Sequence, residues 1–194
     1  NIDGLIDAAS RYKVDLTVVG PEVPLSNGII DRFQQVGIPA FGPTKGAAKL
    51  EFSKSYARDL MKRHKVPSPD FQVFHSYGEA YDFVSKHQGQ LVVKADGLAA
   101  GKGSFICETR EAAINALHDC MEDHIFGAAG NTVVVEELLE GEEISVFAFV
   151  DGNNISKMMA ARDYKRLLDG DKGPNTGGMG SYSPVNLWDN KLSD

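Results

Sequence analysis

The chain has 194 residues, enough to bury a hydrophobic core in one or two domains. Hydrophobic residues make up 42% of it and charged residues 24%, which is ordinary for a globular protein, and its apolar runs are too short for a transmembrane span. The net charge of −7 argues against a mainly electrostatic nucleic-acid binder, although a few local lysines could still hold an anionic ligand. We therefore expect neither nucleic acid nor a membrane as a partner.

The numbers and positions of the cysteines and histidines argue against a disulfide-stabilised fold and against a histidine metal site. The two cysteines, Cys107 and Cys120, are too few for a disulfide framework. Cys107 falls in a predicted strand and Cys120 in a predicted helix, so we expect two buried thiols in a reducing cytoplasm. The five histidines are scattered without metal-ligand spacing, and the sequence assigns no metal ligand.

Hydrophobic periodicity predicts alternating helices and strands in the first 50 residues. The predicted elements are a helix with Ile2, Leu5, Ile6 and Ala9 on one face, a short buried strand at 15–19, one helix at 24–36 with Ile29, Ile30 and Phe33 inside, and a strand at 38–41. A strand, a helix and a second strand in succession indicate a parallel sheet and an α/β fold.

A second set of elements follows a short helix at 45–50, a helix capped by Ser53, and the rigid connector Val66–Pro69. The predicted elements after the connector are strand 71–74, helix 77–86, strands 91–94 and 105–107, helix 110–122, strand 132–136, and a hairpin of strands 143–150 and 155–161. Helices placed among antiparallel hairpins predict a small α+β subdomain.

The segment from Val92 to Phe105 carries the strongest chemical signal. An apolar strand ends at Lys94, a loop rich in Gly and Ala contains Lys102, and a new strand begins near Phe105. Small residues let backbone N–H groups approach a phosphate and lysines supply positive charge, so the pattern is typical of a phosphate-covering loop. Its spacing and the strand after it exclude both a P-loop and a dinucleotide-binding fingerprint. The alternative is a hairpin loop with two solvated lysines.

Three further segments are candidate binding elements. The acidic segment 136–143 joins two strands and suits either an adenine and ribose contact or an acidic surface turn. The segment 163–166 has mixed charge at a strand end, which fits a polar site and a solvated loop equally well. The segment 174–184 combines three glycines with Asn, Thr, Met and Tyr, which favours a binding loop over a linker. Lys54, near a helix start, carries no signal of its own.

Together these motifs resemble the ATP-grasp ligases, and within them the glycinamide ribonucleotide synthetase family, also called phosphoribosylamine–glycine ligases. The motifs that carry the resemblance are Val19–Glu22, Phe41–Thr44, Lys94–Gly103, Glu136–Glu143 and Gly173–Gly180. The resemblance extends over essentially the whole chain, and the motifs at 94–103 and 173–180 are long and specific.

The resemblance implies the fold and the domain order, namely the end of an N-terminal parallel α/β domain followed by an ATP-grasp region, incomplete at both ends. The divisions it predicts are 1–50 for the end of the N-terminal domain, 51–68 for a helix and connector, 69–143 for the small ATP-grasp subdomain with the Gly-rich loop, and 144–194 for the start of the large subdomain. Because the chain begins without Met inside a predicted helix, we expect an internal piece of a longer enzyme.

The resemblance also implies an activity. The family uses ATP with Mg²⁺ or Mn²⁺ to join glycine to 5-phosphoribosylamine through glycyl phosphate, giving glycinamide ribonucleotide, ADP and phosphate in purine biosynthesis. Whether later pathway domains share the polypeptide stays open, as do two alternatives: another ATP-grasp carboxylate–amine ligase, and a nucleotide-binding module without catalysis. We expect the 194 residues alone to be inactive, because the family's metal ligands lie beyond them.

Matching the family motifs residue by residue gives three expected catalytic residues, Lys94, Asp163 and Lys165. The residues expected to bind ATP are Lys54, Lys94, Ala99, Ala100, Gly101, Lys102, Gly103, Glu136, Glu137, Leu139 and Glu143. The residues expected to bind the substrates are Pro21, Glu22, Asp163, Lys165, Asn175, Thr176, Gly177, Gly178 and Met179. The family usually has His where this chain has Tyr164, so the resemblance assigns no role to that position.

Overall fold

The structure is a computed structural model that describes residues 1–99, 101–170 and 172–188. The chain divides into two compact units, Asn1–Leu138 and Leu139–Asp194. Among the described residues, no helix is both long and apolar enough to cross a membrane.

The first part of the first unit is a small α/β layer. Its elements are α1 (Ile2–Arg11), β1 (Thr17–Val18), α2 (Glu22–Ser26), α3 (Ile29–Gln35), β2 (Ala40–Phe41) and α4 (Lys45–Phe52). Strands β1 and β2 pair in parallel, as predicted. Ile29, Ile30 and Phe33 are each at most 2% exposed and form the centre of the core, which confirms the predicted inner face.

Two details of this layer differ from the sequence expectation. The single helix predicted at 24–36 is two helices, because Gly28 adopts the left-handed conformation (φ +81°) and ends the continuous turn after Ser26. The strand predicted to be buried is exposed on one side: Val18 is 67% accessible, whereas Val19 packs against the core. Side chains alternate between the two faces of a strand, so Val18 and Val19 point to opposite faces of this two-stranded sheet.

The remainder of the first unit is an antiparallel sheet between helices. Its elements are α5 (Lys54–His64), β3 (Phe71–Phe74), α6 (Tyr77–Lys86), β4 (Leu91–Ala95), β5 (Ser104–Cys107), α7 (Arg110–Met121), a 3₁₀ turn at Gly127–Gly130 and β6 (Val133–Glu137). The strand order is β3-β6-β4-β5, with every neighbouring pair antiparallel. The predicted α+β arrangement is confirmed, and Ser53, Ser76 and Thr109 cap α5, α6 and α7.

Alternation along β4 and β6 divides their side chains between two faces of the sheet. Leu91, Val93, Val133 and Val135 pack with α6 and α7 in the main core. Lys94 and Glu136 point to the opposite face, where α5 lies. The register pairs Lys94 with Val134 and Val92 with Glu136, so the two charged residues are diagonal neighbours on that face.

The two cysteines lie in this core, as predicted. Cys107 and Cys120 are at most 1% exposed and are free thiols. Burial raises the pKa of Cys107, and it raises the pKa of Cys120 to about 11 with help from the nearby Asp119 carboxylate. Both thiols are therefore held in the neutral, unreactive form at neutral pH.

The second unit is built from short antiparallel strands. Its elements are β7 (Ser145–Phe147), β8 (Met159–Asp163), β9 (Arg166–Leu168), β10 (Lys172–Asn175) and β11 (Ser181–Tyr182). Strands β11, β8 and β7 form one sheet, and β9 pairs with β10. The predicted hairpin is confirmed, but the strand expected at 143–150 is regular over 145–147 only and resumes as a single bridge between Val150 and Ile155.

Candidate active site

A cleft of about 740 Å³ opens in the first unit, between the N-terminal part of α5, the exposed end of the antiparallel sheet and the loop between β4 and β5. The side chains that give it charge are Glu22, Glu51, Lys54, Arg58, Lys94 and Glu136. Its other walls come from α2, α4 and residues Gly97–Ala99 of the loop. The cleft thus collects residues that are up to 114 positions apart in the sequence, from Glu22 to Glu136.

Lys54 enters the cleft from the first turn of α5, and Asp96 fixes that turn. The Asp96 carboxylate accepts hydrogen bonds from the Ser55 amide (2.6 Å), the Ser55 hydroxyl (3.0 Å) and the Ser53 hydroxyl (3.3 Å). Lys54 donates from its own amide to the Asp96 carbonyl (3.2 Å) and from Nζ to the Gly97 carbonyl (3.2 Å). The beginning of the Gly-rich loop and the N-terminus of α5 are therefore one hydrogen-bonded assembly.

The environment of Lys54 makes its ammonium form less favourable than it is in water. Burial lowers its pKa below the ordinary value of 10.5, and repulsion from Lys94 lowers it further, although the Asp96 carboxylate partly offsets both effects. A bound polyanion would remove this penalty, because an opposite charge stabilises the ammonium form. Lys54 is thus a partly desolvated cation whose environment improves when an anion enters the cleft.

A buried ion-pair cluster lies between α5 and the sheet, one helical turn after Lys54. Glu136, whose side chain is 1% exposed, accepts two hydrogen bonds from Arg58, from Nε to Oε1 (2.6 Å) and from Nη2 to Oε2 (3.0 Å). Lys94 Nζ donates to the same Oε2 at 2.6 Å. Burial alone would raise the pKa of Glu136, but the hydrogen bonds and charges of Arg58 and Lys94 outweigh it and hold that pKa below 4.5. Glu136 is therefore ionised at neutral pH.

Arg58 and Asp96 are two site residues to which the sequence analysis gave no role. Arg58 follows Lys54 by four positions, so both lie on one face of α5, and this spacing was the available signal. A glutamate at the end of the apolar run Val133–Val135 also signals that a cation must pair with it. Asp96 stands within the Lys94–Gly103 motif, and its position directly after β4 was the available signal.

Two glycines of the loop are required by close packing. A Cβ on Gly97 would lie 2.8 Å from the Ala129 Cβ, and a Cβ on Gly103 would lie 2.5 Å from the Ala99 Cβ. Both distances are too short for carbon atoms in contact. The sequence analysis attributed these glycines to phosphate approach, and the packing supplies a second, independent reason for them.

The other residues expected to bind ATP are more scattered. Ala99 and Gly101 line the cleft and Gly103 is buried, whereas Lys102 is exposed and Ala100 lies outside the described residues.

Glu137 is exposed and accepts a hydrogen bond from the Asp70 amide (3.0 Å). Leu139 and Glu143 are exposed and belong to the second unit. Their expected contacts with adenine and ribose stay predictions.

The residues expected to bind substrate fall in both units. Glu22 lines the cleft at the start of α2, and Pro21 is the N-cap residue of that helix. In the second unit, Lys165 Nζ donates to Asp163 Oδ2, and this hydrogen bond lowers the pKa of Asp163. The side chain of Asn175 lies outside the described residues.

Backbone hydrogen bonds join the second-unit candidates into one cluster. The Lys165 carbonyl accepts hydrogen bonds from the amide (2.6 Å) and hydroxyl (2.9 Å) of Thr176. The backbone of Tyr164 pairs with the segment 176–180: its amide donates to the Gly180 carbonyl (2.9 Å), and its carbonyl accepts from the Met179 amide (2.7 Å). Gly178 carries the left-handed backbone (φ +119°) that turns the loop beside Asp163. The structure thus brings Asp163, Lys165 and 176–179 together, and their expected contacts with substrate stay predictions.

Tyr164 has a structural environment of its own. Its ring stacks on Tyr182 with centroids 6.1 Å apart, and the Arg162 guanidinium lies 5.8 Å from the ring centre. Tyr164 is therefore part of a surface aromatic and cationic stack, with its backbone in the loop pairing described above.

Comparison with known proteins identifies first the class and then the family. Residues 52–194 match the family model described as "Phosphoribosylglycinamide synthetase, ATP-grasp (A) domain", and residues 1–51 match the model of the N domain of the same enzyme. The fold is thus an N domain followed by an ATP-grasp domain. The chain belongs to the phosphoribosylglycinamide synthetase family, and the resemblance drawn from the motifs is confirmed.

Individual relatives agree with this assignment. The chain is 53% identical over 183 residues to a phosphoribosylamine–glycine ligase of Halalkalibacterium halodurans, covering 94% of this chain and 43% of that protein. It is 47% identical over 185 residues to the Escherichia coli protein of the same name, covering 95% and 43%. A crystal structure of the Thermotoga maritima ligase matches with a TM-score of 0.73 and 37% identity, over 87% of this chain and 41% of that one. The chain therefore spans less than half the length of the relatives it matches.

The family models and the compact units each define one boundary in the chain, whereas the sequence predicted three. The family models meet between residues 51 and 52, and the compact units meet between residues 138 and 139. The division into four parts, with boundaries after residues 50, 68 and 143, stays a prediction.

Proposed function

We propose that the full-length protein joins glycine to 5-phosphoribosylamine at the expense of ATP, giving glycinamide ribonucleotide, ADP and phosphate. The support is the family membership, the named relatives at about 50% identity, and the cleft of the first unit, which is lined by Lys54, Arg58 and Lys94. The single observation that carries the nucleotide part is the convergence of Lys54, Arg58 and Lys94 on a cleft that residues Gly97–Ala99 and Gly101 also line. As a step of purine biosynthesis, the reaction would take place in the cytoplasm.

The proposed chemistry has two steps. The glycine carboxylate attacks the γ-phosphorus of ATP, ADP leaves, and glycyl phosphate forms. The amine of phosphoribosylamine then attacks the glycyl carbonyl carbon, phosphate leaves, and the amine loses a proton. A free carboxylate is a poor electrophile, and the first step supplies it with a leaving group. Such phosphoryl transfer depends mainly on positioning and on neutralising charge.

The cleft residues fit the first step. Lys54 and Lys94 would bind the triphosphate oxygens, since both ammonium groups line the same cavity and are partly desolvated. The loop at 97–103 would cover the phosphates and keep water from the acyl phosphate. Glu137, Leu139 and Glu143 are proposed to contact the nucleoside, and Pro21 and Glu22 to contact the ribosylamine. Glu136 is proposed to serve ATP binding as the counterion of Lys94, because its side chain is 1% exposed and both of its oxygens accept hydrogen bonds from Arg58 and Lys94.

The second unit is proposed to serve the amine substrate. Asp163, Lys165 and the loop 175–179 would hold the ribosylamine with its phosphate, because the Lys165 ammonium has three N–H donors and uses one of them for Asp163. Asp163 keeps the Lys165 ammonium in place through their hydrogen bond. Their catalytic role is part of the proposal.

Mg²⁺, or Mn²⁺ in its place, is proposed to accompany the nucleotide and neutralise its phosphates. The carboxylates of the cleft that are free of a cation partner at hydrogen-bond distance, among the described residues, are Glu22 and Glu51. The best-buried one, Glu136, already binds two cations and does not fit a metal ligand. We therefore assign no metal ligand within these residues.

The test is product formation by the full-length protein with Mg·ATP, glycine and freshly prepared phosphoribosylamine, followed by mass spectrometry. We expect product that requires all three substrates, a loss of at least about a hundredfold in Lys94→Ala, and little change in Lys86→Ala, which removes the same charge from the exposed end of α6. ATP consumption without this product would indicate another ATP-grasp ligase. A folded protein that binds ATP without turnover would be a nucleotide-binding module.

A further inference from the structure

The cluster of Arg58, Lys94 and Glu136 contains more charge than a single ion pair. Glu136 is the least exposed of the three side chains at 1%, while Arg58 and Lys94 are 18% and 22% exposed on the cleft side. Two positive charges and one negative charge leave the cluster with a net positive charge of one. In a partly buried cleft, that balance governs whether an anion is attracted.

The geometry divides the Glu136 carboxylate unequally between the two cations. Arg58 approaches it with the planar fork of its guanidinium and contacts both oxygens. Lys94 contacts Oε2 alone, so two of its three N–H donors are left for other partners. Arg58 is thus the main counterion of Glu136, and Lys94 keeps hydrogen-bonding capacity toward the cleft.

We propose that Arg58 is a positioning residue that neutralises Glu136, so that Lys94 presents its positive charge to the nucleotide phosphates. This inference rests on the proposed nucleotide site. Without Arg58, the buried carboxylate has Lys94 as its only cation, and the two form a neutral pair. Lys94 is then held at Glu136, and the carboxylate neutralises its charge, although the Lys94 side chain is intact.

This role differs from that of a residue that only stabilises the fold. A purely structural Arg58 would show its loss in the free energy of unfolding, and in the KM values for ATP and glycine alike. A charge-balancing Arg58 affects the binding of the nucleotide alone. Removal of both Arg58 and Glu136 restores the net charge of one, because Lys94 remains as a free cation. Nucleotide affinity that follows this net charge while the KM for glycine stays constant therefore separates the two accounts.

The experiment uses the full-length protein and a non-hydrolysable ATP analogue with Mg²⁺, with affinity measured by calorimetry. We expect R58Q to bind the analogue about tenfold more weakly, since one cation opposite a polyphosphate is lost. We expect R58Q/E136Q to bind within about threefold of the unchanged protein. R63Q removes an exposed arginine from the same helix and should leave the affinity unchanged.

Turnover measurements add a readout that a folding defect would not reproduce. The KM for ATP should rise in R58Q and recover in the double variant, while the KM for glycine should stay constant. R58K keeps the charge but loses the fork, and we expect it to stay within about threefold of the unchanged protein in affinity. Equal or weaker binding by the double variant than by R58Q would overturn the inference.

Failure of the inference and failure of the proposed function are distinguishable. If the unchanged protein does not bind the analogue, the proposed nucleotide site is wrong. If it binds the analogue and forms product, but the double variant gains nothing over R58Q, only the role of Arg58 is wrong. Should R58Q not fold, the folded double variant decides: near-normal affinity supports the charge balance, and lost affinity contradicts it.

Discussion

The two candidate clusters of this chain hold their charged groups in different ways. In the first unit, Lys94 and Arg58 are fixed by a carboxylate that is almost fully buried. In the second unit, Lys165 is held by Asp163, and both side chains are partly exposed. Backbone hydrogen bonds between 164–165 and 176–180 hold that segment in place. Burying a charge costs desolvation free energy, so a buried charge needs a partner. An exposed ion pair has little desolvation cost and contributes little to stability.

The comparison teaches what each cluster is suited to. A desolvated, pre-paired cation is worth more to a transferring phosphoryl group than a solvated one, because the local dielectric constant is lower and no reorganisation is required. A loop held by its backbone can adapt to a ligand that arrives and leaves. If the proposed site is correct, the first unit therefore uses the same residues for stability and for binding, and the second unit uses different ones.

The largest effect should follow from removing the buried carboxylate. Glu136→Leu leaves Arg58 and Lys94 close together without their counterion, so we expect the free energy of unfolding to fall by about 3 kcal/mol. Glu143→Leu, at an exposed position of the second unit, should change it by less than about 0.5 kcal/mol. Denaturant unfolding measures both, and equal effects would contradict the difference between the units.

A smaller effect is expected from crowding the loop of the first unit. In Gly103→Ala the new methyl group meets Ala99, and relieving that overlap should cost about 1–3 kcal/mol. Gly177→Ala is the matched change in the second unit, where a Cβ would find nothing within 4 Å. Thermal unfolding of the two variants should separate them by several degrees. If both unfold alike, the packing reason for Gly103 is wrong.

The next effect concerns the hydrogen bonds between Asp96 and the N-terminus of α5. Asp96→Asn keeps the size of the side chain but weakens three hydrogen bonds from Ser53 and Ser55, which should cost about 1–2 kcal/mol and weaken nucleotide binding through Lys54. Asp163→Asn, the corresponding change in the second unit, should reduce turnover while leaving the unfolding transition nearly unchanged. A larger stability loss in Asp163→Asn than in Asp96→Asn would reverse the comparison.

The smallest effect is a dependence on pH. Because the folded state holds the pKa of Glu136 below its ordinary value of 4.5, the carboxylate contributes stability above that value. The contribution decreases as the pH falls through the lowered pKa. The stability difference between the unchanged protein and Glu136→Gln should thus be constant near neutral pH and shrink in acid. Unfolding measured over a pH series checks this, and a difference that grows in acid would contradict it.

Much of the fold was predictable because it is encoded locally. Helices α5, α6 and α7 begin at Ser or Thr caps, and the strands of the antiparallel sheet are apolar runs between turn residues. The break between α2 and α3 was missed because the apolar periodicity continues through Gly28, and only its left-handed backbone separates the helices. The exposure of Val18 was missed because a short apolar run does not show how many of its faces are covered.

The candidate site was predictable where motifs are contiguous and not where contacts are distant. The loop at 97–103 follows from one short segment, and the resemblance assigned 163–165 and 175–179 to the same substrate without giving the hydrogen bonds that join them. Arg58 and Glu136 are 78 positions apart, and Ser55 and Asp96 are 41 apart. No local pattern contains such pairs, since they depend on where α5 packs against the sheet. The sequence therefore indicated which residues carry charge, and the fold determines which of them share a counterion.

The most direct test of the central claim is a crystal structure of the full-length protein with Mg²⁺ and a non-hydrolysable ATP analogue. We expect phosphate oxygens within about 3 Å of the Nζ atoms of Lys54 and Lys94, with Glu136 still bound by Arg58. This result would establish the first-unit cleft as the nucleotide site and Glu136 as its internal counterion. A triphosphate bound elsewhere, or a Glu136 carboxylate turned onto the metal, would contradict the account.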